Sequence, residues 1–266
     1  RDGVSLDTTG EGGRFIHHAE ATDMILTIAN NKGGVAKTTT AVNLAAALGR
    51  KKRVLLVDTD GQCSASLSLG IRDATATVYD VLQGHPAQRA IVQAEGVDVI
   101  TGHERAAWWD GSRDTLRNAL APLSYDFILI DTPPSLSSVV IASLSAADGY
   151  IVPVTPHYLA LEGLISFRNA IEERAERYGF GALVGIVLTA VDYRTRAAGE
   201  IVDLLRGHFK RDVFKTEIRI NTRLAEAPRY GQTIFDYDKS STGAAAYTNL
   251  ANELQNKIRG LKHGKA

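Results

Sequence analysis

Short apolar runs recur along the chain without polar alternation: MILTIAN at 24–30, VLLVD at 54–58, VDVIT at 97–101, FILID at 127–131, GYIVPV at 149–154 and GALVGIVLT at 181–189. A strand with one wet face alternates apolar and polar residues, so these runs suit strands buried on both faces of a parallel sheet. VFKTEI at 213–218 is a weaker strand pattern. Between the runs, 38–49, 113–121, 136–147, 158–178 and 196–209 carry apolar residues at helical spacing. Repeated strand–helix alternation predicts an α/β fold, a doubly wound, mostly parallel sheet with helices on both faces. Ligands of such sheets gather beyond the carboxyl ends of the strands, where the loops 30–38, 58–66 and 131–137 converge. No repeat or low-complexity block interrupts the pattern, and residues 24–262 read as a single domain. The acidic, glycine-bearing stretch 1–23 is expected to be a poorly ordered tail.

Composition narrows the partners. Thirty Lys+Arg balance thirty Asp+Glu, which excludes a strongly basic nucleic-acid module but not a local basic patch. The single cysteine, Cys63, cannot form an intrachain disulfide, and with no secretory apolar region the chain reads as cytoplasmic. Cys63 itself reads as a small packed residue. No apolar run approaches the ~18 residues that span a bilayer. His17 and His18 lack further ligands at metal spacing, so no metal is assigned to them, and Trp108 and Trp109 read as packing or partner contacts.

After the first strand comes Asn-Lys-Gly-Gly-Val-Ala-Lys-Thr-Thr, residues 31–39, leading directly into a helix that carries Val42, Leu44, Ala45 and Leu48. Strand, glycine loop and helix make a phosphate cradle. Backbone N–H groups from Gly33 and Gly34 through Val35, Ala36, Lys37 and Thr38 form a concave nest, and the helix N-terminus adds partial positive charge. Lys37 reaches the β/γ-phosphates, Thr38 offers its hydroxyl to Mg²⁺, and Thr39 completes the loop. The ordinary P-loop glycines, counted back from Lys37, would fall on Ala36 and Asn31, so that pattern fails. Two later strands end in acids: Asp58 and Asp60 in VLLVDTDGQ, and Asp131 in FILIDTPPS. Hard carboxylate oxygens there suit Mg²⁺, with Asp131 acting through water beside the direct ligand Thr38.

What does fit is Lys-Gly-Gly-x-x-Lys-Thr with an extra lysine, Lys32. In this the chain resembles the ParA/MinD family of ATPases, whose signature lysine contacts the nucleotide of the opposing subunit. The resemblance runs over about 235 residues, from Met24 to Ile258, through Asp131-Thr132-Pro133-Pro134, Arg223-Leu224-Ala225-Glu226-Ala227-Pro228, Tyr237-Asp238 and Gly243-Ala244. It implies a Mg²⁺-dependent ATPase that closes into an ATP-dependent homodimer. Lys32 and Lys37 then face phosphate, Asp60 orients the attacking water, and Asp58 joins Asp131 in the magnesium shell. Gly61 replaces a family proline, which implies a looser loop, and Ala36 replaces a more usual glycine, which is expected to slow the reaction without abolishing the nest. Adenine contacts are implied near Thr189 and in Ile218-Arg219-Ile220-Asn221, with Asn221 the matching residue. No Asn-Lys-x-Asp guanine motif occurs, so ATP is favoured over GTP.

The family divides by the surface its dimer occupies. From Arg194 to Arg223 eight Lys/Arg face four Asp/Glu, a local net charge of +4. Resemblance to the Soj-like chromosome-segregation branch implies nonspecific double-stranded DNA binding through Arg194 and Arg223, a ParB-like partner that stimulates hydrolysis, and a nucleoid-associated location. The rival is a MinD-like membrane switch, for which the stripe Leu250, Leu254, Ile258 and Leu261 in the helical segment 244–262 would have to lie on a bilayer. Packing of that helix on its own domain is the expectation, without stable membrane binding. A metabolic phosphoryl-transfer or cofactor-maturation enzyme is the third class; the lack of a cysteine pair counts against iron–sulfur redox work.

Overall fold

The computed structural model describes residues 23–94 and 96–263. The expected tail, residues 1–22 with His17 and His18, lies outside them. The strands are β1 (Ile25–Ile28), β2 (Val54–Asp58), β3 (Ile91–Val92), β4 (Asp98–Ile100), β5 (Phe127–Asp131), β6 (Gly149–Val154), β7 (Ala182–Val191) and β8 (Val213–Arg219). The helices are α1 (Lys37–Gly49), α2 (Ser64–Ser68), α3 (Val78–Leu82), α4 (Thr115–Leu120), α5 (Ser138–Ala146), α6 (Ala160–Tyr178), α7 (Arg196–Phe209), α8 (Thr222–Glu226), α9 (Ile234–Tyr237) and α10 (Thr242–His263). All seven sequence-derived strands are present. The sheet order is β3-β4-β2-β5-β1-β6-β7-β8, parallel except for β3.

Alternate residues of each central strand enter different cores. Leu55, Val57, Ile128 and Ile130 pack with α3, α4 and α5 on one face, whereas Leu56, Leu129, Leu26 and Ile28 pack with α1 and α10 on the other. Because both faces are apolar, the sequence shows runs where a half-exposed strand would alternate. The fully buried Tyr247, Leu250 and Leu254 and the nearly buried Ile258 seat α10 against this second face. Leu250, Leu254 and Ile258 of that stripe are core, which takes them from the surface that the membrane reading needed, and no described helix is long and apolar enough to cross a membrane.

Edge strand β8 is closed by α10. The Glu253 carboxylate accepts from the Lys215 N–H at 2.7 Å and the Thr216 N–H at 2.9 Å. Two outward backbone donors are thereby satisfied, which removes a template for pairing with another chain.

The order β2-β5-β1 explains why three distant motifs meet. Asp58 and Asp131 are register partners at the carboxyl ends of adjacent parallel strands, and Ile28, the last residue of β1, pairs with Asp131 on its other side. Thr59 and Thr132 tie the strand exits together: the Thr59 hydroxyl donates to the Asp131 carbonyl at 2.6 Å, and the Thr132 hydroxyl to the Ile28 carbonyl at 2.8 Å.

Candidate functional site

The loop after β1 is held at both ends. Asn30 Nδ2 donates to the Pro153 carbonyl at 2.8 Å while its Oδ1 accepts from the Lys32 N–H at 3.0 Å, which fixes the loop's entry against β6. At its exit Val35 is buried and its carbonyl accepts from the Thr189 hydroxyl at 3.1 Å. Gly34 (φ +72°) and Ala36 (φ +60°, ψ +36°) are both left-handed, and this turns the intervening N–H groups into one concavity at the start of α1. Ala36 bears a Cβ in a conformation that costs an L-residue about 1–2 kcal/mol. Ala36→Gly is therefore expected to raise the thermal midpoint of the nucleotide-free protein by about 2–4 °C; an unchanged midpoint in a melting experiment would show that the neighbours absorb the strain.

Lys37 is buried at the base of the nest, its Nζ donating to the Lys32 carbonyl at 2.8 Å. Burial lowers its pKa, and the nearby Asp131 and Asp60 carboxylates pull it back up. Thr38 Oγ1 donates to Asp131 Oδ2 at 2.8 Å. Asp131 is fully buried, and its other oxygen, Oδ1, has no hydrogen-bond partner. Burial first, and the Asp58 carboxylate second, raise its pKa well above the carboxylate range. A cation beside Oδ1 would offset that burial and favour the ionised form, and a hydroxyl, a carboxylate oxygen and water form a donor set that suits Mg²⁺. Among the described residues no three His, Cys, Asp or Glu side chains converge on one point.

Asp58 is buried with both oxygens engaged. Oδ2 accepts from the Ser66 N–H at 2.9 Å and hydroxyl at 2.7 Å, and Oδ1 from the Asp60 N–H at 3.2 Å. Burial pushes its pKa up to about 6 against those bonds. The geometry makes Asp58 the anchor of the loop that carries Asp60 and of α2. Asp60 Oδ1 accepts from the Gln62 N–H at 2.9 Å. Cys63 is left-handed (φ +54°) and part-buried, with its thiol pKa pushed up to about 11 by burial and acidic neighbours. The packed, unreactive reading of this residue is supported.

Lys32 does not enter the nest. Its Nζ donates to the Leu159 carbonyl at 3.0 Å, just before α6, and its stem runs over Gly163, where a Cβ would sit 2.8 Å from Lys32 Cε. A cavity of about 210 Å³ opens beside the helix start, lined by Ala36, Thr39, Ala190, Ile220, Asn221 and Tyr247 among others. It coincides with the loops assigned to adenine, although Asn221 also caps α8, with Oδ1 accepting from the Leu224 N–H at 3.2 Å and Nδ2 donating to Thr242 Oγ1 at 2.8 Å. Ser66 and Tyr247 escaped the sequence reading. Ser66 carries no motif, and Tyr247 sits on an apolar stripe that signals only core.

Arg194 and Arg223 follow the carboxyl ends of the neighbouring strands β7 and β8 and are both exposed. Each holds an intramolecular partner. Arg194 makes a two-pronged pair with Asp192 at 2.8 and 2.7 Å, and Arg223 meets Glu226 at 3.0 Å and Asp238 at 3.6 Å. Of the other patch cations, Arg206 pairs with Glu217 at 2.7 Å and Arg196 with Glu200 at 2.8 Å. Trp108 is 78% exposed whereas Trp109 is buried.

Comparison with known proteins agrees with this geometry. A family model described as an AAA domain matches residues 23–179. The chain is 43% identical over 243 residues to the chromosome-partitioning ATPase Soj of Thermus thermophilus, covering 88% of this chain and 96% of that one. It is 39% identical over 246 residues to the sporulation initiation inhibitor protein Soj of Bacillus subtilis, covering 86% and 97%. Among solved structures, a Mycobacterium smegmatis protein described as cobyrinic acid a,c-diamide synthase, with bound ATP analogue and magnesium, superposes with TM-score 0.76 at 30% identity over 91% of this chain and 97% of that one. The cell-division ATPase MinD of Pyrococcus furiosus superposes with TM-score 0.73 at 26% identity over 88% and 99%. With a deviant phosphate loop on a doubly wound sheet and long, well-covered identity to the partition proteins, the chain belongs to the Soj/ParA family of chromosome-partitioning P-loop ATPases.

Proposed function

We propose that this ATPase is a nucleotide-timed DNA tether. ATP and Mg²⁺ bind at the phosphate loop, two copies close face to face with Lys32 of each reaching the other's nucleotide, and the dimer holds double-stranded DNA without reading sequence. Hydrolysis, stimulated by a ParB-like partner, releases the DNA, so that a chromosome, plasmid or other cargo is segregated or positioned over the nucleoid. The observation that carries the nucleotide half is the Thr38–Asp131 pair, with the buried, unpartnered Asp131 Oδ1 beside the Lys37 nest. Magnesium would neutralise phosphate charge there. Lys37 and Lys32 stabilise charge on the phosphoryl oxygens, Thr38 and Asp131 hold the cation, Asp58 fixes the adjoining loop, and Asp60 orients water.

The DNA half rests on Arg194 and Arg223, which share one edge of the sheet. Their partners are carboxylates in exposed pairs, which water and salt screen, so a phosphate can replace them at little cost. Two arginines per copy engage about four phosphates in a dimer, for a slope of log K against log salt near −3.6. A single copy has half of that, so dimerisation switches retention on.

The test is co-sedimentation with DNA and with anionic vesicles, with and without ATP. Replacing Arg194 and Arg223 together by Ala should lower ATP-dependent DNA retention at least tenfold and leave ATP affinity unchanged. Equal retention by the double variant rejects the patch. ATP-dependent capture by vesicles but not by DNA would replace the tether with a membrane switch, a reading that the burial of Leu250, Leu254 and Ile258 disfavours.

A further inference from the structure

Gly61 follows Asp60 directly and its φ is outside the left-handed region, so its backbone does not demand glycine; its surroundings do. A Cβ on Gly61 would lie 2.9 Å from the Ala107 Cβ, 3.0 Å from the Glu104 carbonyl oxygen and 3.4 Å from the Ala107 N. Those atoms belong to the single turn of tight helix Glu104–Trp108, which leaves β4. Two of the three are backbone and cannot swing aside.

The turn is itself firmly mounted. His103 Nδ1 accepts from the Arg105 N–H at 3.1 Å, and its ring stacks on Tyr79 of α3 with centroids 5.5 Å apart. Ala106 is fully buried, and the buried Trp109 donates from Nε1 to the Leu82 carbonyl at 3.1 Å, again on α3. One residue after β4 a second contact reaches the same loop. A Cβ on Gly102 would meet Asp58 Oδ2 and the Asp60 carbonyl at 3.0 Å, and the Gly102 N–H donates at 2.9 Å to the Ser66 hydroxyl that holds Asp58. The 102–108 segment thus lies close against the loop 58–63 at two places, Gly102 beside Asp58 and the Asp60 carbonyl, and the turn 104–108 beside Gly61.

The geometry points to the turn 104–108 as a positioning element for hydrolysis: by lying so close to Gly61 that no Cβ fits between them, it limits the room of the backbone that carries Asp60. The sequence gives this loop no stiffening proline, and the stiffness comes from outside, from a prop anchored on α3. Neither Ala107 nor Glu104 touches substrate; each acts through Gly61. The inference rests on the reading of Asp60 as the residue that places water.

The experiment compares four variants for kcat and for ATP affinity in the presence of Mg²⁺. Gly61→Ala forces the loop and the prop apart by a few tenths of an ångström and should lower kcat about tenfold, with ATP affinity held within twofold, since misplacement by 1 Å costs roughly a hundredfold. Ala107→Gly, a change on a surface turn that introduces no clash, should slacken the contact and lower kcat about threefold. The pair together should recover part of that loss over Gly61→Ala alone, because the 2.9 Å clash with the Ala107 methyl is gone while the Glu104 carbonyl still lies 3.0 Å from the added Cβ. Wild-type kcat in either single variant, or a pair no faster than Gly61→Ala, overturns the prop. Asp60→Ala run alongside separates the two readings. If it hydrolyses ATP normally, the assignment of Asp60 fails. If it is inactive while Gly61→Ala and Ala107→Gly are normal, only the prop fails.

Discussion

Asp60→Ala should arrest hydrolysis, with kcat down at least a hundredfold, while the protein still binds ATP and accumulates as the ATP-bound dimer on DNA. The size follows from what the side chain does. Phosphoryl transfer asks little covalent chemistry of a protein, so the rate depends on charge stabilisation and on where the attacking water stands. In the proposed reading charge stabilisation falls to Lys37, Thr38 and Asp131, which the substitution leaves in place. The same reading gives water placement to Asp60, whose carboxylate accepts from the Gln62 N–H and whose own N–H donates to Asp58. Phosphate release measured at saturating ATP, with light scattering for the dimer, separates the two. Hydrolysis at the normal rate would mean that another group positions the water.

The parts of this molecule that were legible in its sequence are those in which one local signal suffices. Six buried strands announced themselves because a strand apolar on both faces needs an unbroken run, β8 gave only the weaker pattern of a half-exposed edge, and the phosphate loop was legible because Gly33, Gly34, Lys37 and Thr38 lie within one turn of one another. Strand β3 is two residues long and antiparallel, too short to hold a period. Helices α2, α3, α8 and α9 are four or five residues each, below the length at which helical spacing can be read. Tertiary partnership was illegible in a different way. That Ser66 would hold Asp58, that α3 would mount a prop against Gly61, and that Arg194 and Arg223 would each find a carboxylate depend on segments brought together by the sheet order. Gly61 shows the difference best. In sequence it reads as a loosened loop, whereas in the fold another segment lies so close to it that a Cβ there would collide.

Lys32→Ala should abolish ATP-dependent dimerisation while leaving ATP affinity within a few-fold of wild type. In a single copy the ammonium lies on the Leu159 carbonyl at 3.0 Å, outside the nest that Lys37 serves, so its removal takes nothing from the copy's own phosphate contacts. The bond it leaves is an exposed one to a neutral carbonyl, which water can replace. A terminal phosphate is an anion, so the same ammonium gains ion-pair attraction as well as a hydrogen bond there, and a two-fold dimer gains it twice. The exchange therefore runs toward the partner's nucleotide only when a terminal phosphate is there to receive the lysine, which makes dimerisation report on ATP and not on ADP. Sedimentation of wild type and variant with a nonhydrolysable analogue and Mg²⁺ reads this directly. A variant that still dimerises would remove the lysine from the interface, and a wild type that stays a single copy at saturating analogue would remove the dimer itself, and with it the doubling of DNA contacts on which the tether depends.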